Sequence, residues 1–309
     1  MLTAGMEGTD LERRDQNNRW RSFLLAFALA AVLLSLIMVG TVMAVQPTMP
    51  SNQPAQEQAP VSFRPPASDT LTLAVIGTSG TTAREFLLIR FNPQYGQVPL
   101  SLLPAESIVS LDGKRMSLAQ AYEQGGGPAV KGAMSERFGI AVDRYACIDQ
   151  DSFLRLAERV GSVVFELPYE IAYERNGYSI LIPAGERRLD GKDILDLFAY
   201  PGFQEDPLEK SRILGQLVAA AVNQHLDAAG EDMSSSLFKL AVNLLDTDIS
   251  YADYERRRDS ADFVSKLDMD VAGALPADGI WLPQENGEAL LEFSEDYTAL
   301  VRQYFQASA

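Results

Sequence analysis

The residues that most often carry covalent or metal chemistry are scarce: the 309-residue chain has one cysteine and one histidine. Cys147 sits in Tyr145-Ala-Cys-Ile-Asp149, whose alternation reads as a strand, and nothing in the sequence supplies an activating histidine. It is expected to be a buried, inert thiol, and alone it allows no internal disulfide. His225 follows Leu214 by eleven residues on the apolar face of a helix. It is expected to pack near that helix's C-terminus, and one histidine builds no histidine-rich metal site. Gly125-Gly126-Gly127 lacks the Lys-Ser/Thr of a nucleotide loop, so a turn before Pro128 accounts for it. The formal net charge is −16, an acidic excess that argues against nucleic acid as a partner.

The chain is organised around one uncharged stretch. From Ser22 to Val45 no charged residue occurs, and about 20 apolar residues suffice to cross a bilayer as a helix. Arg13, Arg14, Arg19 and Arg21 precede the span, whereas Gln46 to Gln56 carries no charge, so the N-terminus is expected in the cytoplasm. Val42 and Ala44 suit a cleavage site, but the run exceeds the roughly 7–15 residues of a signal-peptide core, which favours an uncleaved anchor. The expected organisation is a cytoplasmic tail (1–21), a transmembrane anchor (22–45) and a Pro/Gln-rich tether (46–68). An extracytoplasmic domain (69–230) and a C-terminal extension packed on it (231–309) complete the chain.

Strand-like runs at Leu71–Ile76, Phe86–Ile89 and Leu100–Leu103 open the folded part. The spacing predicts helices over Pro128–Phe138 and from about Asp151, then strands over Ser162–Leu167 and Tyr178–Ile182. The longest helix is expected from an Asp206 N-cap and Pro207 to about Leu226, burying Leu214, Leu217, Val218 and Ala221. Further helices fit Leu237–Leu245 and Tyr297–Phe305, with a turn-rich stretch between them. Alternating strands and helices imply an α/β sandwich, a sheet covered by helices.

The order of these pieces resembles the LytR-CpsA-Psr family of cell-envelope proteins over about Asp69 to Leu226. The resemblance is carried by Leu73-Ala-Val-Ile-Gly77, Phe86-Leu-Leu-Ile-Arg-Phe-Asn-Pro93, Ser101-Leu-Leu-Pro104 and Ala121-Tyr122 before Gly125-Gly126. Phe138-Gly-Ile140, Asp151-Ser-Phe153, Leu189-Asp-Gly191 and a long helix with Arg212 continue it. It implies the family's plan of tail, anchor, tether and α/β ectodomain. It also implies transfer of a glycopolymer from a polyprenyl pyrophosphate carrier to peptidoglycan, with arginines on the pyrophosphate and carboxylates on a divalent cation.

This chain departs from that pattern at most polar positions. Ser79 and Thr81 stand where the family has Asp and Arg; its Arg-x-Asp becomes Thr82-Ala-Arg84, and its Pro-Arg-Asp becomes Pro104-Ala-Glu106. Its arginine-rich strand becomes Leu197-Phe-Ala-Tyr-Pro201, and Glu209 replaces an arginine while Arg212 is kept. The resemblance therefore leaves Arg84, Arg90, Glu106, Lys210 and Arg212 as candidates for a phosphate-binding mouth, with no catalytic or metal-ligating residue assigned. Taken singly, Arg84, Glu106 and Arg212 read as ordinary solvated charges.

Three functions fit. The favoured one is a degenerate family member that binds a polyprenyl-(pyro)phosphate lipid or envelope partner with weak or no transferase activity. The second is an active ligase using these residues with Mg²⁺, the only cofactor in view. The third is an acidic structural or sensory ectodomain. The membrane and, through the resemblance, a polyprenyl-phosphate carrier or peptidoglycan are the expected partners. The resemblance further implies an elongated apolar cavity beneath the helices holding Leu214–Val222 and Val130–Met134, and an Arg84–Glu209 ion pair across its mouth.

Overall fold

The computed structural model describes residues 63–306, apart from 176, 227–230, 285, 286 and 288. The tail, the apolar span and all but the end of the tether lie outside the described residues. Among the described residues, no helix is long and apolar enough to cross a membrane.

Strands β1 (Leu71–Ser79) and β2 (Thr82–Phe91) form an antiparallel hairpin, turned at Gly80 with a φ of 61°. β3 (Val98–Leu103) pairs antiparallel with β2. A small hairpin of β4 (Ile108–Leu111) and β5 (Lys114–Ser117) leads into α1 (Leu118–Phe138). Ser117 and Gln120 cap α1 reciprocally. The helix breaks at Gly126, whose φ of 62° and ψ of −150° are accessible to glycine, and resumes at Pro128, so the expected turn is present.

β6 (Arg144–Asp149) returns parallel to β1 and is followed by α2 (Gln150–Val160), capped by Asp149. β7 (Val163–Leu167) pairs with β10 (Gly185–Leu189), and between them lies the hairpin of β8 (Ile171–Arg175) and β9 (Tyr178–Ile182). Helices α3 (Gly191–Ala199) and α4 (Gly202–Glu205) precede α5 (Pro207–Leu226). Leu197–Ala199, expected from the resemblance to begin a strand, is thus the end of a helix, closed by a Tyr200 N–H bond to the Leu197 carbonyl. α5 starts where the sequence placed it, with the Asp206 carboxylate accepting from the Glu209 N–H at 3.0 Å.

The remaining chain does more than pack on this frame. After α6 (Glu231–Leu244), β11 (Asp246–Thr247) adds to β6 as one edge of the main sheet. α7 (Tyr251–Ser265) follows, and β12 (Ala272–Ala274) adds to β3 as the other edge. The sheet order is β11-β6-β1-β2-β3-β12. A hairpin of β13 (Gly279–Pro283) and β14 (Ala289–Phe293) and the helix α8 (Glu295–Phe305) complete the fold. The stretch expected to be turn-rich therefore holds a helix and a hairpin.

Helices cover both faces of the sheet, which is why β1 and β2 are apolar on both sides. Leu71, Leu73 and Val75 with Leu87 and Ile89 point to one side, under α2, α3, α5, α6 and α7. Ala74 and Ile76 with Phe86 and Leu88 point to the other, under α1, the β13–β14 hairpin and α8. Leu214–Val222 and Val130–Met134 thus cover opposite faces. Leu214, Leu217, Val218, Val222, Val130 and Met134 are wholly buried in these two cores.

Candidate functional site

A cleft of roughly 630 Å³ opens at one end of the sheet, not beneath it. Its floor is the start of β2 (Thr82 to Glu85) and the end of β3 (Leu102, Leu103) running into Pro104-Ala105-Glu106. One wall is the first turn of α1 with Gln120 and Glu123; the other is Phe198, Phe203 and the first turn of α5. Ser211 fixes that turn, its hydroxyl donating to the Leu102 carbonyl at 2.5 Å and accepting from the Ala277 N–H at 3.1 Å.

At its centre is a buried ion pair. Glu85 continues the series Glu85, Leu87, Ile89 that faces α5, and only 2 % of its surface is exposed. Lys210 heads the buried stripe of α5, one helical turn before Leu214, and its ammonium donates a short hydrogen bond to Glu85 Oε1. The same ammonium lies 5.7 Å from the Phe198 ring centroid. Burial pushes the Glu85 carboxyl above its ordinary range, Lys210 opposes that shift, and the nearby Glu106 adds to it. Arg84 and Glu106 also line the cleft, both solvent-exposed.

Three of the five candidates are therefore brought together: Arg84, Glu106 and Lys210. Arg90 is elsewhere. It lies opposite Thr72 in the β1–β2 register, buried beneath α8, and donates to Thr72 Oγ1 at 3.2 Å and the Phe305 carbonyl at 2.6 Å. Five residues along an extended strand put it about 17 Å from Glu85. Arg212 is also elsewhere, on the next face of α5, where its guanidinium forks onto Glu209 at 2.7 and 2.6 Å. Glu209 also accepts from the Tyr169 hydroxyl at 3.3 Å. The Arg212 bond lowers the Glu209 carboxyl, and burial with the Glu209 charge pushes the Tyr169 phenol up to about 12.

The expected Arg84–Glu209 ion pair is not formed: Glu209 is held by Arg212 and Tyr169. The residue that the sequence reading missed is Glu85. Its signal was present, as an acid extending an alternation whose other members, Leu87 and Ile89, are apolar.

Among the described residues, no group of three or more His, Cys, Asp or Glu is placed to hold a metal ion. The cleft as built does not suit a divalent cation, because Glu85 already carries the Lys210 ammonium and the guanidinium-bearing Arg84 lies on the same floor. Ser79 ends β1 and Thr81 lies in the hairpin turn, and neither lines the cleft. Cys147 is buried and its thiol is pushed up to about 12, mainly by burial. His225 packs, partly buried, in the last turn of α5, as the sequence suggested, and burial lowers the proton affinity of its imidazole.

A mixed sheet covered by helices on both faces, with a charged cleft at the strand ends, defines an α/β sandwich domain. The chain belongs to the LytR-CpsA-Psr family, whose model matches residues 42–267. A crystal structure from Eubacterium siraeum superposes with a TM-score of 0.70 at 14 % identity, covering 83 % of this chain and 98 % of that one. Bacillus subtilis TagV gives 0.62 at 17 % identity, covering 76 % and 95 %. TagT, solved bound to LIIa-WTA, gives 0.59 at 14 % identity, covering 79 % and 92 %. No curated protein sequence matches the chain.

Proposed function

We propose that this protein binds a polyprenyl-(pyro)phosphate envelope lipid in the cleft and transfers its glycopolymer weakly or not at all. The family's members are cell-envelope glycopolymer transferases, which supplies the substrate class. The observation that carries the reading is the cleft itself. It sets Arg84 and Lys210, cations suited to phosphate, beside an apolar wall of Leu102, Phe198 and Phe203 suited to the first isoprene units. Its volume falls within the roughly 300–1,000 Å³ of ordinary ligand sites, enough for a headgroup and the start of a chain.

Weak transfer follows from the polar residues. Metal-assisted stabilisation of a pyrophosphate leaving group typically contributes several kcal/mol, and the buried carboxylate of the cleft, Glu85, is engaged with a lysine. We place the domain outside the cytoplasmic membrane, held by the span at 22–45. A reporter fused after Ala309 should then be active only in the extracytoplasmic compartment, and activity in the cytoplasm would overturn the topology.

The test of binding is mass spectrometry of lipid extracted from the full-length protein purified in detergent. A polyprenyl phosphate or pyrophosphate species is expected in near-stoichiometric amount. Bulk phospholipid alone would refute it. Robust Mg²⁺-dependent polymer transfer by the same preparation would refute the weak-activity part.

A further inference from the structure

We infer that the Lys210 ammonium is the cleft's resident cation, standing beside Glu85 where a divalent metal would otherwise sit, so that the cleft takes no such metal while Lys210 is present. Four observations lead there. Glu85 is almost fully buried, and a buried carboxylate is kept charged only by a close positive partner. Among the described residues, the cation bonded to it is Lys210.

That lysine is held in place. Its helix turn is tied to β3 and to Ala277 through Ser211, and its ammonium lies close to Phe198. A second carboxylate, Glu106, lines the same cleft and is close enough to raise Glu85.

Two carboxylates and water are a common donor set for Mg²⁺ or Mn²⁺, which bind through one or two acids and retain several waters. The ammonium, bonded to Glu85, supplies one fixed positive charge there instead. Only one of its three N–H donors is used among the described residues, which leaves two for an anionic ligand. The inference does not depend on the lipid reading, because it concerns the cation alone.

The experiment titrates Mn²⁺ alone into the purified full-length protein and follows free Mn²⁺ by electron paramagnetic resonance, with a Mg²⁺ thermal-shift assay beside it. The unaltered protein should bind no Mn²⁺ at the cleft below millimolar concentration and show no Mg²⁺ shift. Lys210→Met should bind one Mn²⁺ at least tenfold more tightly, and Glu85→Gln in that background should abolish the gain. If Lys210→Met fails to fold, Lys210→Gln, which keeps an amide donor toward Glu85, carries the same expectation. Sub-millimolar Mn²⁺ binding by the unaltered protein that is lost in Glu85→Gln would overturn the inference. So would a folded Lys210→Met or Lys210→Gln protein that gains no Mn²⁺ affinity.

Discussion

Glu85 and Arg90 lie on one strand, both buried, yet they serve different ends. Arg90 is closed in by α8 and donates to Thr72 and to the last carbonyl of that helix, Phe305. Its bonds fasten the C-terminus across the sheet, and burial without a carboxylate in contact lowers its proton affinity. Glu85 faces the opposite side, at the other end of β2, and is answered by one mobile-type side chain at the floor of a hollow. A buried charge satisfied by backbone belongs to the architecture. One satisfied by a side chain beside open space is available to a ligand.

The largest effect should come from dividing the Glu85–Lys210 pair. Lys210→Met leaves a buried carboxylate without its partner, and such a loss typically costs about 3–5 kcal/mol. The Glu85→Gln/Lys210→Met double variant should recover most of that in urea unfolding, because both charges leave together. Additive losses would mean that the two are not energetically coupled.

Arg90→Met should cost less, about 1.5–3 kcal/mol, as expected for charged hydrogen bonds to carbonyls, and should leave the cleft's ligand affinity unchanged. A weakened ligand would join two ends of β2 that the structure keeps apart.

A third polar cluster sharpens the contrast. On α7, Asp253 receives two bonds from Arg144, at 3.0 and 3.1 Å, and Arg257 reaches the backbone carbonyls of Asp69 and Thr70. Burial alone would raise the Asp253 carboxyl, but Arg144 and Ser250 outweigh it and bring it down to about 2. The folded state therefore binds this proton less readily than the unfolded chain. The stability it contributes is present above the ordinary aspartate value of about 3.8 and is lost as pH falls toward 2. Asp253→Asn should thus be destabilising at neutral pH and progressively indistinguishable from the parent as pH is lowered. A penalty that does not vary with pH would exclude this origin.

These clusters explain what the sequence made legible. The start of α5 was readable because Asp206-Pro207 is a local signal, and β9 because Tyr178-Ser-Ile-Leu-Ile182 is rich in strand-favouring residues. α7 was not, because its inward face carries Asp253, Arg257 and Ser260 among its apolar residues, so charge and burial do not alternate there. Arg90 and Arg212 were drawn into the candidate site by alignment, which gives position along the chain but not the direction of a side chain. Lys210 could be placed from the sequence, since it is four residues before Leu214 on a recognisable stripe.

The central claim is that ligand binding belongs to the cleft and not to the Arg212 face of α5. It is tested most directly by calorimetric titration of a short-chain polyprenyl pyrophosphate into the full-length protein, Ala105→Trp and Arg212→Ala. Ala105 lines the cleft at its partly exposed rim, and an indole there should weaken binding at least tenfold. Arg212→Ala removes a surface pair with Glu209 that contributes about 0–1 kcal/mol to stability, and the affinity should not change. Binding lost in Arg212→Ala and retained in Ala105→Trp would contradict the account.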